Sequence, residues 1–420
     1  MPPVSGGHHA ARIVTAVTFF KLTKSFRLLR FLNSTPSGPL RGIIASAGWL
    51  ATLIFTRSGT LAREMWRRLY SERDLKLGFR RLAWYGRKSW IGVSLLADPV
   101  FDFTEGTDAA QRAAQRRFLA RRERPLIEGR LDDLNLAAAE VDPPMHLDTW
   151  RARLSDFAAV ANALLDDLSD VDAAPGPQRG KDRRGDFSVD DAAEALRAFA
   201  ALFPVEEVPW YVISGTFLGI VREGGFLPHD YDIDLGLNAE VGGIERIEML
   251  LRESPDFALV KMDHQRRLKV SDDRLEEVSQ PILLKAVHRS GVHIDLFMHY
   301  LDGTIRWHGS NVHRWENEEF DLAPYRLAGL EVLGPADADR YLTENYGDWR
   351  IPRTKFNPST GTPNLRMVHN LSALVLFLRR YALARMSGDP GSRTIRQVML
   401  SDGYLKETAE GDRLSEERFL

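Results

Sequence analysis

The sequence predicts an α+β fold, a mixed sheet with flanking helices preceded by a helical N-terminal region. Three observations carry that expectation. From residue 188 onward, strand-like apolar runs alternate with loops and short amphipathic stretches. Two of those runs, Ile282–His288 and Val292–Tyr300, are split by Ser290-Gly291 and read as a hairpin. Before residue 170 the periodic stretches are helical instead, around Ala109–Arg122 and Leu154–Leu168.

The elements follow in order. Ser188 with Asp191 three residues later reads as a helix cap, and Ala192–Leu202 as an amphipathic helix ended by Pro204. Strands are expected at Trp210–Ile213, Ile233–Leu237, Phe257–Val260, Ile282–His288, Val292–Tyr300 and Thr304–Trp307, with a short helix near Gly243–Arg252. The stripe Val368, Leu371, Leu374, Val375 and Leu378 has helical spacing and reads as core. Composition and pattern divide the chain into a basic region 1–100, a helical region 101–170, a Pro/Gly-rich charged linker 171–186, a domain of mixed strands and helices 187–386 and a peripheral tail 387–420.

Charge is distributed unevenly. Residues 1–90 carry sixteen basic side chains against three acidic ones, +13, which leaves −15 for the remainder of a chain whose net charge is −2. Within the basic arm, Lys21, Lys24, Arg27 and Arg30 recur at every third position, with Phe20, Leu22, Phe26, Leu29 and Phe31 between them. That is the composition of an interfacial segment meeting an anionic membrane surface, and equally of a helical layer whose cations are solvated. The longest apolar run, Gly42–Phe55, is shorter than the roughly 20 residues that cross a bilayer. The first residues lack the cationic start of a signal peptide. The expectation is a cytoplasmic protein, peripheral on the inner face of a membrane. Nucleic acid is not an expected partner, because the basic arm holds no recognisable module and the acidic remainder repels a phosphate backbone. With no cysteine, disulfides, thiolate metal sites and cysteine nucleophiles are excluded.

The chemistry concentrates between Tyr211 and Gly236. A strand runs into Ser214-Gly215-Thr216, small residues that leave backbone N–H groups open to a phosphate. A short helix over Phe217–Arg222 ends at Gly224-Gly225, and the chain returns through Asp232-Ile233-Asp234. If extended, that piece points Asp232 and Asp234 to one face. Two carboxylates so close repel unless a cation lies between them, and a hard divalent ion shared with donor phosphates resolves the conflict. In Val292–Met298, Ile294, Leu296 and Met298 face a core, which puts His293 and Asp295 on the other face with Asp295 as the only acid of the run. An Asp pair alone is a weak signal that a solvated turn also produces. The ordered set of strand, small-residue turn, glycine pair, aspartate pair and later acid is more specific. Lys285, on the strand before Asp295, is placed to neutralise a diphosphate or to sit in solvent. Arg266, Arg267 and Lys269 read as a solvated loop or a donor contact. His288, His293 and His299 suggest zinc less well than the carboxylates suggest Mg²⁺ or Mn²⁺.

The stretch Gly215–Pro228 followed by Asp230-Tyr231-Asp232-Ile233-Asp234 resembles the signature of the LicD/fukutin family, nucleotidyltransferase-fold phosphotransferases. Tyr346-Gly347-Asp348-Trp349-Arg350-Ile351-Pro352 is similar to the family's C-terminal Tyr-Gly-x-Trp-x-x-Pro element, so the resemblance covers about residues 195–365. It implies a CDP-activated donor, a glycan or glycolipid acceptor, and transfer of a phospho-alditol or phosphocholine group in polysaccharide modification. It assigns Asp232, Asp234 and Asp295 to metal binding and catalysis, and Ser214, Gly215 and Thr216 to the donor phosphates. Arg222, part of the signature, would hold a phosphate or brace the aspartate loop. Tyr231 interrupts the family's acidic run and His229 replaces a common tryptophan, a form closer to the fukutin-related branch with its CDP-ribitol-like donors. Two other readings stay open: transfer of the nucleotide itself to a small molecule or protein, and a non-catalytic scaffold for glycan assembly.

Overall fold

A computed structural model describes residues 124–141, 145–171, 188–227, 230, 232–241, 243–310, 312–353, 358–389 and 391–419. The segments Phe19–Leu32, Gly42–Phe55 and Ala109–Arg122, residues 172–186 of the expected linker, and His229 and Tyr231 lie outside the described residues. No helix among the described residues is long and apolar enough to cross a membrane.

Helices α1 (Arg124–Glu140) and α2 (Leu147–Ser169) flank a short strand β1 (Met145–His146). Along α2, Trp150, Leu154, Phe157, Ala158, Ala161, Leu164, Leu165 and Leu168 are buried, the three-and-four spacing of one helical face. Helix α3 (Val189–Leu202) starts on Ser188, whose hydroxyl accepts the Asp191 N–H at 3.2 Å. That bond satisfies one open N–H group, and Asp190 and Asp191 in the first turn complement the dipole. Strand β2 (Tyr211–Val212) leads into α4 (Ser214–Glu223), which stops at Gly224 with φ 73°. Strand β3 (Asp232–Asn238) and α5 (Ile244–Glu253) follow.

Strands β4 (Phe257–Ser271) and β5 (Arg274–His288) are each 15 residues long, far beyond the short runs the apolar pattern marks. Their extension is polar, so no hydrophobic run announces it. Asp272 and Asp273, with φ of 48° and 60°, form the tight turn whose twist suits a two-residue hairpin. Arg266, Arg267 and Lys269, expected in a loop, therefore lie on β4, in register with Ser279, Val278 and Glu276. Next come β6 (His293–Asp302), β7 (Ile305–Gly309), β8 (His313–Glu318), β9 (Leu322–Leu327) and β10 (Leu330–Pro335). The chain continues through α6 (Ala338–Tyr346), one-turn α7 (Pro358–Gly361), β11 (Leu365–Met367), α8 (Leu371–Ser387) and α9 (Gly391–Ser401). A hairpin of β12 (Leu405–Thr408) and β13 (Gly411–Leu414) closes it.

Eleven strands form one mixed sheet in the order β11-β8-β7-β6-β3-β2-β10-β9, with β5 joining at β6 and carrying β4 and β1. The β3–β6 and β2–β10 pairs are parallel, and the other pairs are antiparallel. Strands β5 and β7 take successive stretches of β6, residues 293–297 and 300–302. One core joins the sheet to α3, α4, α5 and α6 through Phe199, Trp210, Phe217, Ile233, Leu235, Ile294, Leu296 and Tyr341. A second core joins α1 and α2 to α8 and α9. The stripe Val368, Leu371, Leu374, Val375 and Leu378 is buried in this second core, and residues 391–419 add Ile395, Met399, Tyr404, Leu405, Leu414 and Phe419 to it.

At the far ends of β3 and β6 lies a buried polar cluster. Tyr211 Oη is 2.6 Å from His299 Nδ1 and donates to Asn238 Oδ1 at 2.9 Å, which also accepts from Arg306 at 2.7 Å. A Cβ on Gly236 would meet His299 Cε1 and Tyr211 Cε2 at 2.6 Å each, so only glycine lets these rings close over the strand. Gly236→Ala is expected to cost about 1–3 kcal/mol, read as a lower midpoint in urea unfolding. Burial also pushes the His308 imidazole down to about 3 from 6.5. The unfolded chain takes up that proton near pH 6.5 while the folded one does so only near 3, so stability falls as pH drops through this window. Unfolding midpoints measured between pH 6.5 and 4 should decline less steeply in His308→Gln; an unchanged slope would remove His308 from the account.

Candidate active site

The parallel pairing of β3 with β6 sets Asp232 opposite His293 and Asp234 opposite Asp295. Asp232 and Asp295 are buried, 8% and 6% exposed, and Asp234 is half-buried. One carboxylate oxygen from each of the three lies within 4.8 Å of the other two. Among the described residues this is the His/Asp/Glu group that could hold a metal ion. The strands are there because Ile233, Leu235, Ile294 and Leu296 fill the core, which turns the acids to the opposite face.

Lys285 completes the centre. It pairs with Asp295 in the β5–β6 register, and its Nζ lies 2.6 Å from Asp295 Oδ2 and 3.6 Å from Asp232 Oδ2. Burial alone would lower its pKa, but the charges of Asp295 and Asp232 outweigh that and raise it. Asp234 is driven well above the usual carboxylate range, first by burial and then by Asp232, Asp230 and Asp295, with Lys285 opposing. Asp295 Oδ1 is buried with no hydrogen-bond partner. A hard cation fits these facts: three oxygen donors, a buried orphan acceptor and a carboxylate that resists ionisation beside its neighbours.

The small-residue turn serves the acids more directly than expected. Ser214 adopts φ 51° and its N–H points to Tyr341 Oη at 3.4 Å. Gly215 N–H donates to Asp234 Oδ2 at 3.3 Å, and the Thr216 hydroxyl, fully buried, accepts the Asp234 N–H at 2.9 Å. These groups, read from sequence as open to a phosphate, brace β3. A Cβ on Gly215 would sit 3.0 Å from Asp230 Oδ2 and 3.7 Å from Asp234 Oδ2. Asp230 is thus a fourth carboxylate at the site, which the pattern of alternating acids did not single out. Arg222 donates to the Trp349 carbonyl at 3.1 Å and pairs with Glu223 at 2.8 Å, binding α4 to the C-terminal element. That element forms one wall. Phe217 meets Tyr341 edge-on at 5.6 Å, and burial followed by the charges of Asp234, Tyr341 and Asp230 raises the Tyr346 phenol well above its ordinary value. Trp349 is held through its indole N–H to Asp339 at 3.1 Å.

The other sequence candidates fall elsewhere. His299 is turned to Tyr211, and His288 Nδ1 lies 2.8 Å from Ser290 Oγ, so neither joins the acids as a zinc ligand. Arg266, Arg267 and Lys269 lie farther along β4, five, six and eight residues beyond the Lys261 that pairs with Lys285.

Residues 207–337 match the family model described as "LicD/FKTN/FKRP, nucleotidyltransferase domain". Ribitol-5-phosphate transferase FKTN of Mus musculus is 25% identical over 182 residues, covering 42% of this chain and 36% of that protein. The Homo sapiens protein of the same name is 24% identical over the same coverage. An uncharacterized Caenorhabditis elegans protein is 32% identical over 126 residues, 28% of this chain and 30% of that one. The chain spans about a third of the length of these curated relatives. The mixed sheet, with α4 rising from the turn beneath its aspartates, is of the nucleotidyltransferase type. Within that type, residues 207–337 are similar to the LicD/FKTN/FKRP domain, and the named relatives are fukutin proteins.

Repulsion among the acids makes two expectations. With no divalent ion present, Asp234→Asn should raise the melting temperature by about 2–4 °C, because it removes a charge the folded site disfavours. Lys285→Ala should lower it by a similar amount, and added Mg²⁺ should recover most of that loss. Differential scanning fluorimetry with and without Mg²⁺ reads both, and opposite signs would mean that the acids do not repel as described.

Proposed function

We propose that the chain is a divalent-metal-dependent phosphotransferase that moves a phospho-alditol or phosphocholine group from a CDP-activated donor to a glycan or glycolipid acceptor. The observation that supports it most is the convergence of Asp232, Asp234 and Asp295 on one face of two parallel strands, with the orphaned Asp295 Oδ1 between them and Lys285 alongside. The names of the fukutin relatives make CDP-ribitol the first donor to try.

Asp232, Asp234 and Asp295 would hold Mg²⁺ or Mn²⁺, which when bound supplies charge neutralisation at the donor diphosphate. Lys285 adds a fixed positive charge at the same place. Its salt bridge occupies Asp295 Oδ2 and leaves Oδ1 with two lone pairs, one that would hold the cation and one to accept the proton of the attacking acceptor hydroxyl. That hydroxyl oxygen forms the new P–O bond as the bond to CMP breaks, and CMP departs with the electron pair. Gly215 and Thr216 keep Asp234 in place during the exchange, and the Tyr341–Trp349 wall limits water. The catalytic unit in this reading is the domain 187–386. The basic residues 1–100 would carry it to an anionic membrane surface.

The decisive assay offers CDP-ribitol, CDP-glycerol and CDP-choline with a glycan acceptor, with and without Mg²⁺, using donors labelled separately in cargo and in base. Metal-dependent CMP release with cargo label on the acceptor is expected, and Asp232→Asn or Asp295→Asn should reduce it by at least about a hundredfold. Base label on the acceptor would replace the proposal with nucleotide transfer. Absence of turnover together with absence of any Mg²⁺-dependent melting shift would favour a scaffold.

A further inference from the structure

The basic residues on β4 that the acid centre leaves unused line a different feature. A cavity of about 580 Å³ opens between the β4–β5 hairpin, β8, β11 and the C-terminal residues. Its volume lies within the roughly 300–1,000 Å³ of small-ligand sites. Gln265, Lys269, Glu316, Arg366, Asp402 and Arg418 reach it from segments that are distant in sequence. None of Asp232, Asp234, Asp295 or Lys285 is among the lining residues, and Lys269 stands on the order of 25 Å along β4 from the Lys261–Lys285 pair.

The lining has an excess of positive charge. Lys269, Arg314, Arg366 and Arg418 face two acids, Glu316 and Asp402. This occurs in the part of the chain beyond residue 90, whose net charge is −15, so general basicity does not account for it. The four cations are committed to different degrees. Arg314 is paired, 2.8 Å from Asp302 and 2.7 Å from Glu316, and lies over the Trp307 ring at 4.3 Å. Arg366, its side chain 41% exposed, reaches Glu316 and Asp402 only at 3.6 and 3.7 Å. Lys269 is exposed and makes no ion pair among the described residues. Arg418 is anchored by donation to the Asp402 carbonyl at 2.9 Å and by the Tyr404 ring at 5.2 Å. Burial pushes the His369 imidazole down to about 4, and with Nδ1 3.0 Å from Tyr404 Oη it offers the cleft its Nε2.

We propose that this cleft is a second ligand site that takes an anionic saccharide, a sugar bearing a phosphate or a carboxylate. Lys269, Arg366 and Arg418 hold the charge, Arg366 reaching the anion through Nη2 while its Nη1 donates to the Leu365 carbonyl at 3.0 Å. Glu316, Gln265 and His369 meet hydroxyl groups, and Leu268 and Val278 offer the apolar surface that the C–H face of a pyranose needs. A bare anion would find no use for the carboxylates and the apolar wall, and a neutral sugar none for the surplus cations. The assignment stands apart from the chemistry proposed for the aspartates and does not require it.

Titration calorimetry on the full chain with glucose 6-phosphate, glucuronate, glucose and inorganic phosphate tests this without any transfer assay. Saturable binding of the first two is expected, with glucose and phosphate each at least tenfold weaker. Lys269→Glu, a change at an exposed position, should weaken both anionic sugars at least tenfold, while Asp232→Asn leaves them unchanged. A uronate-bearing oligosaccharide that binds more tightly than free glucose 6-phosphate identifies the ligand as part of a glycan chain, and the reverse order identifies a free sugar phosphate. Binding lost in Asp232→Asn and kept in Lys269→Glu, phosphate binding as tightly as the sugars, or no binding at all would each overturn the assignment.

Discussion

Four charged side chains on three adjacent strands impose the main constraint on this molecule. The ladder registers of Asp234 with Asp295 and of Lys285 with Asp295 leave the acids no freedom to separate without breaking backbone hydrogen bonds. Three ionised carboxylates against one ammonium leave two uncompensated charges in a largely buried place. A proton on Asp234 relieves part of this, and a divalent cation relieves it more completely. The surroundings are built around that tension. Gly215 lets Asp230 and Asp234 approach, Thr216 fixes the backbone of β3, and Tyr341 caps the turn from another part of the chain.

The sheet distributes two kinds of polar group to two ends of the same strands. At the start of β3 and β6 lie the three acids that could hold a metal ion. At their far ends Asn238 and His299 are sealed with Tyr211 and Arg306 among aromatic rings. In the first group Asp295 Oδ1 has no hydrogen-bond partner, and in the second Asn238 Oδ1 accepts twice and His299 Nδ1 is bound.

Much of this was legible beforehand, and what was not has physical reasons. Alternation placed Asp232 and Asp234 on one face and Asp295 among apolar neighbours, since side-chain period is a local property. Register is not local, so nothing in the sequence said that Asp234 would lie opposite Asp295 or that Lys285 would reach two acids at once. The long β4–β5 hairpin gives no sequence signal because the apolar residues of Lys261–Pro281 are scattered among polar ones, and β8 to β10 give none because their burial is partial. The turn residues were judged by size, which suggests an open phosphate cradle. Their N–H and hydroxyl groups are in fact taken up by Asp234 and Tyr341, partners that only the folded chain brings near.

The second core has an implication for biogenesis. Helices α1 and α2 come before the sheet in the chain, yet the surfaces they bury belong to α8, α9 and the closing hairpin. Arg385 donates to the carbonyls of Leu168 and Val171, and Leu414 N–H to Asn162 Oδ1. The partners that bury those first helices here are therefore synthesised only after the intervening sheet. A polypeptide ending at residue 337, the boundary of the family match, would lack them.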